Sequence, residues 1–108
     1  MTELEQNYPD DLFNNHPTDD EIEKIKTWSI STREDCKALI EYVRTLWNWG
    51  DTFITVEGSL YKMATGGWSG NEEIIGALQD NHIFWLLCWK MSKRGGYYEF
   101  EIVEAILG

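Results

Sequence analysis

Residues 33–64, REDCKALIEYVRTLWNWGDTFITVEGSLYKMA, change their hydrophobic period once, at Gly50. Before that glycine, Cys36, Leu39, Ile40, Val43, Leu46 and Trp47 recur at steps of three, one, three, three and one. This spacing predicts an amphipathic helix of about four turns with a single buried stripe. Thr32-Arg33-Glu34-Asp35 reads as its capping box and Gly50 as its stop. After Gly50 come two short runs, Phe53-Ile54-Thr55-Val56-Glu57 and Leu60-Tyr61-Lys62-Met63-Ala64, separated by Gly58-Ser59. They read as a β-hairpin. A helix that hands over to a hairpin argues for an α+β domain with an antiparallel sheet.

Upstream, Thr18-Asp19-Asp20-Glu21 reads as a second capping box, and Ile22, Ile25 and Trp28 continue along one helix face. Residues 1–17 hold both prolines, four acids and four Asn or Gln, which suits an acidic N-terminal arm laid on a single domain spanning 18–108. Downstream, a short helix is expected over Glu72–Gln79, with Ile74, Ile75 and Leu78 inward. Ile83-Phe84-Trp85-Leu86-Leu87-Cys88-Trp89 is apolar throughout and reads as a central strand covered on both faces. Trp85, Leu87 and Trp89 would then share one face, and Phe84, Leu86 and Cys88 the other. Ser92-Lys93-Arg94-Gly95-Gly96 is a turn. Tyr97 to Ile102 alternates, with Tyr98, Phe100 and Ile102 on one face. The expected layout is two N-terminal helices, then an antiparallel sheet of about four strands with a short helix between two hairpins, ααββαββ. Val103 to Gly108 extends the last strand or forms a short helix.

The chain has 108 residues, 19 acids against 9 Lys plus Arg, and a formal charge of −10. Residues 1–26 alone hold eight acids and two lysines. Affinity for nucleic acid comes mostly from Lys and Arg neutralising phosphates, so direct nucleic-acid binding is disfavoured. An anionic membrane surface is disfavoured for the same reason, and Ile83–Trp89 is too short to span a bilayer. Strong acidity suits docking onto a protein with a basic surface. Cys36 and Cys88 read as buried free thiols, and no secretory signal opens the chain, so a cytoplasmic location is expected.

Thr65-Gly66-Gly67-Trp68-Ser69-Gly70-Asn71-Glu72 is the candidate site. Such a loop can turn backbone N–H groups toward an anion or a polar ligand beside an aromatic wall. It also reads as a glycine-assisted turn whose tryptophan fills the core, the commoner use of such a loop. Ser69 and Glu72 have capping-box spacing, and Asn71 is the other candidate cap. The glycines match neither G-x-x-x-x-G-K-[ST] nor G-x-G-x-x-G, and Gly-Trp-Ser-Gly lacks the spacing of a nucleophile elbow. Glu72 and Glu73 diverge on a helix. His16 and His82, the two histidines, sit in turn-like sequence without metal-ligand spacing. No catalytic residue, metal or cofactor is therefore expected. Lys90, Lys93 and Arg94 beside Tyr97 and Tyr98 form the dense basic cluster, which reads as a phosphate or base contact or as a solvated turn. The binding set is Gly66, Gly67, Trp68, Ser69, Gly70, Asn71, Arg94 and Tyr97.

The segment Thr65 to Ile75, with Phe84-Trp85, Trp89 and Arg94-Gly95-Gly96-Tyr97-Tyr98-x-Phe100-x-Ile102, resembles small uncharacterised proteins of bacteriophages and prophages. The similarity covers residues 60 to 102 or so. It carries no site residues over. It implies a phage accessory protein acting by binding a host protein, such as a defence or nucleic-acid-handling component. The alternative is a module that binds or sequesters a small anionic, nucleotide-like ligand through the Trp68 loop. Oligomeric state is left open.

Overall fold

The computed structural model describes residues 16–102; residues 1–15 of the expected arm and the tail from 103 lie outside them. The elements run α1 (Asp19–Lys26), α2 (Arg33–Leu46), a short α3 (Gly50–Phe53), β1 (Ile54–Glu57) and β2 (Leu60–Ala64). Then follow α4 (Ser69–Asp80), α5 (His82–Cys88), β3 (Trp89–Lys93) and β4 (Tyr97–Glu101). The architecture is α+β, with a four-stranded antiparallel sheet in the order β1-β2-β4-β3.

Both N-terminal capping boxes form. The Thr18 hydroxyl accepts from the Glu21 amide at 3.1 Å, and Glu21 accepts from the Thr18 amide at 2.8 Å. At α2, Thr32 accepts from the Asp35 amide, while Asp35 accepts from the amides of Thr32 and Ser31. Those backbone donors hold the Asp35 carboxyl below its ordinary range. A cap of this kind contributes about 1 kcal/mol. The stripe of α2 is buried as its spacing requires, through Cys36, Leu39, Ile40 and Val43. The helix ends at Leu46, before Gly50, because the chain turns extended at Trp47, whose indole N–H donates to the Ala64 carbonyl at 3.0 Å.

Alternation sorts the sheet into two faces. Ile54, Tyr61, Met63, Tyr98 and Phe100 face the helices and join one core with Ile25, Ile74, Leu78 and Phe84. The Tyr61 hydroxyl donates to Glu41 of α2 at 2.6 Å. Burial and that carboxylate push Tyr61 up to about 12, and the same bond lowers Glu41. The other face is polar, with Lys62 against Glu57 and Lys90 against Glu101. Cys36 and Cys88 are free, buried neighbours, and burial raises both thiols.

The expected central strand does not form. Ile83–Trp89 is not a central strand: His82–Cys88 is helix α5, and the third strand begins at Trp89 and lies at the sheet edge. Burial follows the helical period, for Phe84 and Cys88 are enclosed while Leu86 between them is 82% exposed. An apolar run this short does not distinguish strand from helix. The deciding residue is Asn81, whose side chain accepts from the Phe84 amide at 3.2 Å and starts a new helix directly after α4. His82 is thus the first residue of α5 rather than part of a turn.

Candidate functional site

The glycine loop is a tight crossover at one end of the sheet. Thr65 donates its amide to the Gly96 carbonyl at 2.9 Å, so the loop is stitched to the tip of the β3–β4 hairpin. Its Oγ1 lies only 2.2 Å from where a Cβ on Gly96 would stand, and Gly96 has φ +86. Gly66 and Gly67 both have positive φ, and the Trp68 amide donates to the Thr65 carbonyl at 3.0 Å, the pattern of a type I′ turn. A Cβ on Gly66 would meet the Phe53 ring at 2.6 Å, whereas one on Gly67 would meet nothing.

Asn71 is the hub of this pole and is fully buried. Its Oδ1 accepts from the Asn48 amide at 2.7 Å and from Asn48 Nδ2 at 3.3 Å. Its Nδ2 donates to the carbonyls of Asn48 at 3.1 Å and Thr65 at 3.2 Å. All four hydrogen-bonding positions of the amide are therefore used. Neither expected cap forms: Trp68 is the N-cap of α4, with no side-chain bond, and the Glu72 amide bonds the Trp68 carbonyl. Ser69 is the first helical residue, so its hydroxyl is one position too far along to reach the Glu72 amide as an N-cap would.

The Asn48 anchor has a consequence next door. Trp49 has φ 60 and ψ 42, the left-handed region, at a cost of about 1–2 kcal/mol for a residue with a Cβ. The residue is 49% exposed, and its ring lies 6.5 Å from that of the partly buried Trp68, tilted by 34°. Exposed Asp51 follows Trp49 by two residues, and exposed Glu72 follows Trp68 by four.

Of the expected set, Gly66 to Asn71 form one continuous structure, with Gly70 and Asn71 buried inside it. Arg94 is exposed in the adjoining hairpin turn. Tyr97 pairs with Ala64 on the polar face, where its hydroxyl donates to Glu99 and Lys93 lies over its ring at 5.6 Å. That bond to Glu99, more than burial, pushes Tyr97 up to about 12. Sequence reasoning missed Asn48, Trp49 and Phe53, which approach only when α2, α3 and α4 are assembled. The Trp-Asn-Trp-Gly stretch at the helix end was the available signal.

Ser69 Oγ also lies 3.4 Å from His16 Nε2, and His16 Nδ1 lies 3.6 Å from Glu73. The order of groups is that of an acyl-transfer relay, but both contacts are long and the His16 and Glu73 side chains stand half in solvent. The neighbouring groove of about 540 Å³ between α1 and α4 is lined by His16 and Glu73 and not by Ser69. Among the described residues no cluster of three metal-ligating side chains occurs, and no helix is long and apolar enough to cross a membrane.

The far end of α4 carries a different feature. On α5 and the residue after it, Ile83 (54%), Leu86 (82%) and Trp89 (42%) stand exposed at helical spacing. Trp89 is stacked on Trp85 at 6.0 Å and 12°, and Trp85 meets Phe100 edge-on at 5.5 Å. Compared with protein-family models, curated proteins and solved structures, the chain matches none.

Proposed function

We propose that this is a phage-type accessory protein that acts by binding a host protein with a basic surface. The observation that carries the reading is the apolar face of Ile83, Leu86 and Trp89 on a chain of charge −10. Clustered exposed apolar side chains mark interaction surfaces, and large aromatic anchors supply much of the affinity. Stacking on Trp85 holds the Trp89 ring in place before any partner arrives, which lowers the entropy lost on binding. Exposed acids on α1 and α4 would steer a basic partner and speed its approach. The segment resemblance to phage proteins supplies the host context. A small anionic ligand at the glycine loop has less support, since Asn71 is committed inward and the exposed acids Asp51 and Glu72 adjoin that loop's tryptophans in the chain.

The test is retention of bacterial proteins by the immobilised chain at low salt, compared with an Ile83→Ser/Leu86→Ser variant. The wild type should hold a protein that the variant releases, and added salt should weaken the capture. If the wild type holds nothing, or the variant holds the same proteins equally, the reading is wrong.

A further inference from the structure

The two edges of the sheet are built differently. At one, β3 carries exposed Lys90 and Lys93 and a bulge between Trp89 and Met91, devices that keep an edge from pairing with a further strand. At the other, β1 is Ile54-Thr55-Val56-Glu57, with three β-branched residues, no lysine and unbroken register with β2. The two-residue turn at Gly58-Ser59 makes Glu57 and Leu60 a hydrogen-bonded pair, so Val56 and Tyr61 form a non-hydrogen-bonded one. The N–H and carbonyl of Val56 therefore point away from β2. Ile54 has the same orientation, and its N–H donates to the Gly50 carbonyl instead of across the ladder. Among the described residues no strand pairs with this side of β1, and Val56 is 37% exposed.

A groove of about 260 Å³ adjoins β1, lined by Ile54 and by Glu41, Arg44, Thr45 and Asp51. Arg44 is engaged by Glu41 at 3.1 Å, so Asp51 leaves the groove net negative. Ile54 and Val56 share one face of β1, while Thr55 and the exposed Glu57 share the other. A strand added here would set one side chain on Val56, the next on that face toward the groove, and the intervening ones beside Thr55 and Glu57. The geometry points to β1 as the docking edge for an extended, basic segment of a partner protein, with an apolar residue seated on Val56. A second copy fits poorly. Each chain carries −10, and a four-residue strand is only about 13 Å long, so a strand pair alone falls short of the roughly 1,200 Å² that a stable interface buries. The inference rests on the partner being basic, but not on the α5 face, which adjoins the opposite edge of the sheet.

The experiment is fluorescence anisotropy of labelled Lys-Lys-Lys-Val-Lys-Lys-Lys at about 0.15 M salt, beside the same peptide with proline for valine and one with glutamate for lysine. Wild type should bind the valine peptide more tightly than the proline peptide, which has equal charge but no central N–H for a ladder, and leave the glutamate peptide free. Val56→Pro should weaken the valine peptide by about tenfold or more. It should melt close to wild type, because β2 does not use the N–H that it removes. If Val56→Pro unfolds, Val56→Lys decides instead: it keeps the backbone, repels a basic strand and should weaken binding as well. Bound peptide should slow hydrogen exchange at the Val56 amide, read by NMR, and leave the amides of Ile83, Leu86 and Trp89 unchanged. Equal binding of the valine and proline peptides, or of wild type and the deciding variant, overturns the edge site and leaves the basic-partner reading standing. A Val56 amide already protected in the free protein also overturns it, because a strand of this chain or of a second copy then holds the edge. Loss of binding in Ile83→Ser/Leu86→Ser would place the peptide on the α5 face instead.

Discussion

Helix α4 is anchored by a buried asparagine at each end, and the two do opposite things to the chain around them. At its C-terminus, Asn81 donates to the carbonyls of Ile25 and Trp28, each at 3.0 Å, and accepts from the Phe84 amide. It thereby finishes α1 and starts α5, supplying bonds that helix ends lack in any case. At the N-terminus, Asn71 bonds the backbone of Asn48 and Thr65, two irregular segments with no ladder of their own. Around it stand a left-handed Trp49 and the positive-φ glycines 66, 67 and 96. One asparagine relaxes its surroundings while the other holds strain in place. Buried amides are thus not a single class. What they bond decides whether they stabilise an ordinary joint or preorganise a surface loop.

The sharpest way to break this contrast is to remove each amide. Asn71→Ala removes all four hydrogen bonds that the buried amide makes to Asn48 and Thr65 and should cost about 3–4 kcal/mol. Asn81→Ala should cost about 2–3 kcal/mol, because some of its helix-end partners can turn to water. Urea unfolding of both variants checks the order, and a larger loss at Asn81 would reverse the assignment of roles.

A smaller effect tests the strain at the Asn71 end. Gly96→Ala must displace the Thr65 hydroxyl and adopt an unfavourable φ, so a loss of about 2 kcal/mol is expected. Gly67→Ala meets open space and should lose about 1 kcal/mol from φ alone. Matching losses would show that the stitch between loop and hairpin tip does not constrain Gly96.

The smallest effect belongs to the Asn81 end. Leu86→Ser lies on the open face of α5 and should change stability by no more than about 0.5 kcal/mol. A loss of about 2–5 kcal/mol, as for a buried leucine, would mean that residues 83–89 form the enclosed strand after all.

How much of this was legible in the chain differs between the same two ends. Asn71 was already among the candidate residues, because glycines and a tryptophan drew attention to its loop. Its role was misread, since a cap is a local bond and its real partners are Asn48 and Thr65. Asn81 has no comparable local signal, because its partners Ile25 and Trp28 lie more than fifty residues away. Without it, seven consecutive apolar residues looked like a strand, and the exposed face of α5 was hidden inside that reading.

The amino-acid sequence by itself determined the two N-terminal caps, the buried stripe of α2, the β1–β2 hairpin and the polar–apolar alternation of β4. Each depends on residues within a few positions of one another, where helix or strand period and side-chain-to-backbone bonds act directly. The tertiary structure decided where α2 stops, whether residues 83–88 coil or extend, and which tryptophans stay in water. Trp47 leaves its helix for a carbonyl on β2, and Trp49 is turned outward by a side chain on α4. Those outcomes depend on buried polar groups finding partners far along the chain, and such partners exist only once the helices have closed over the sheet.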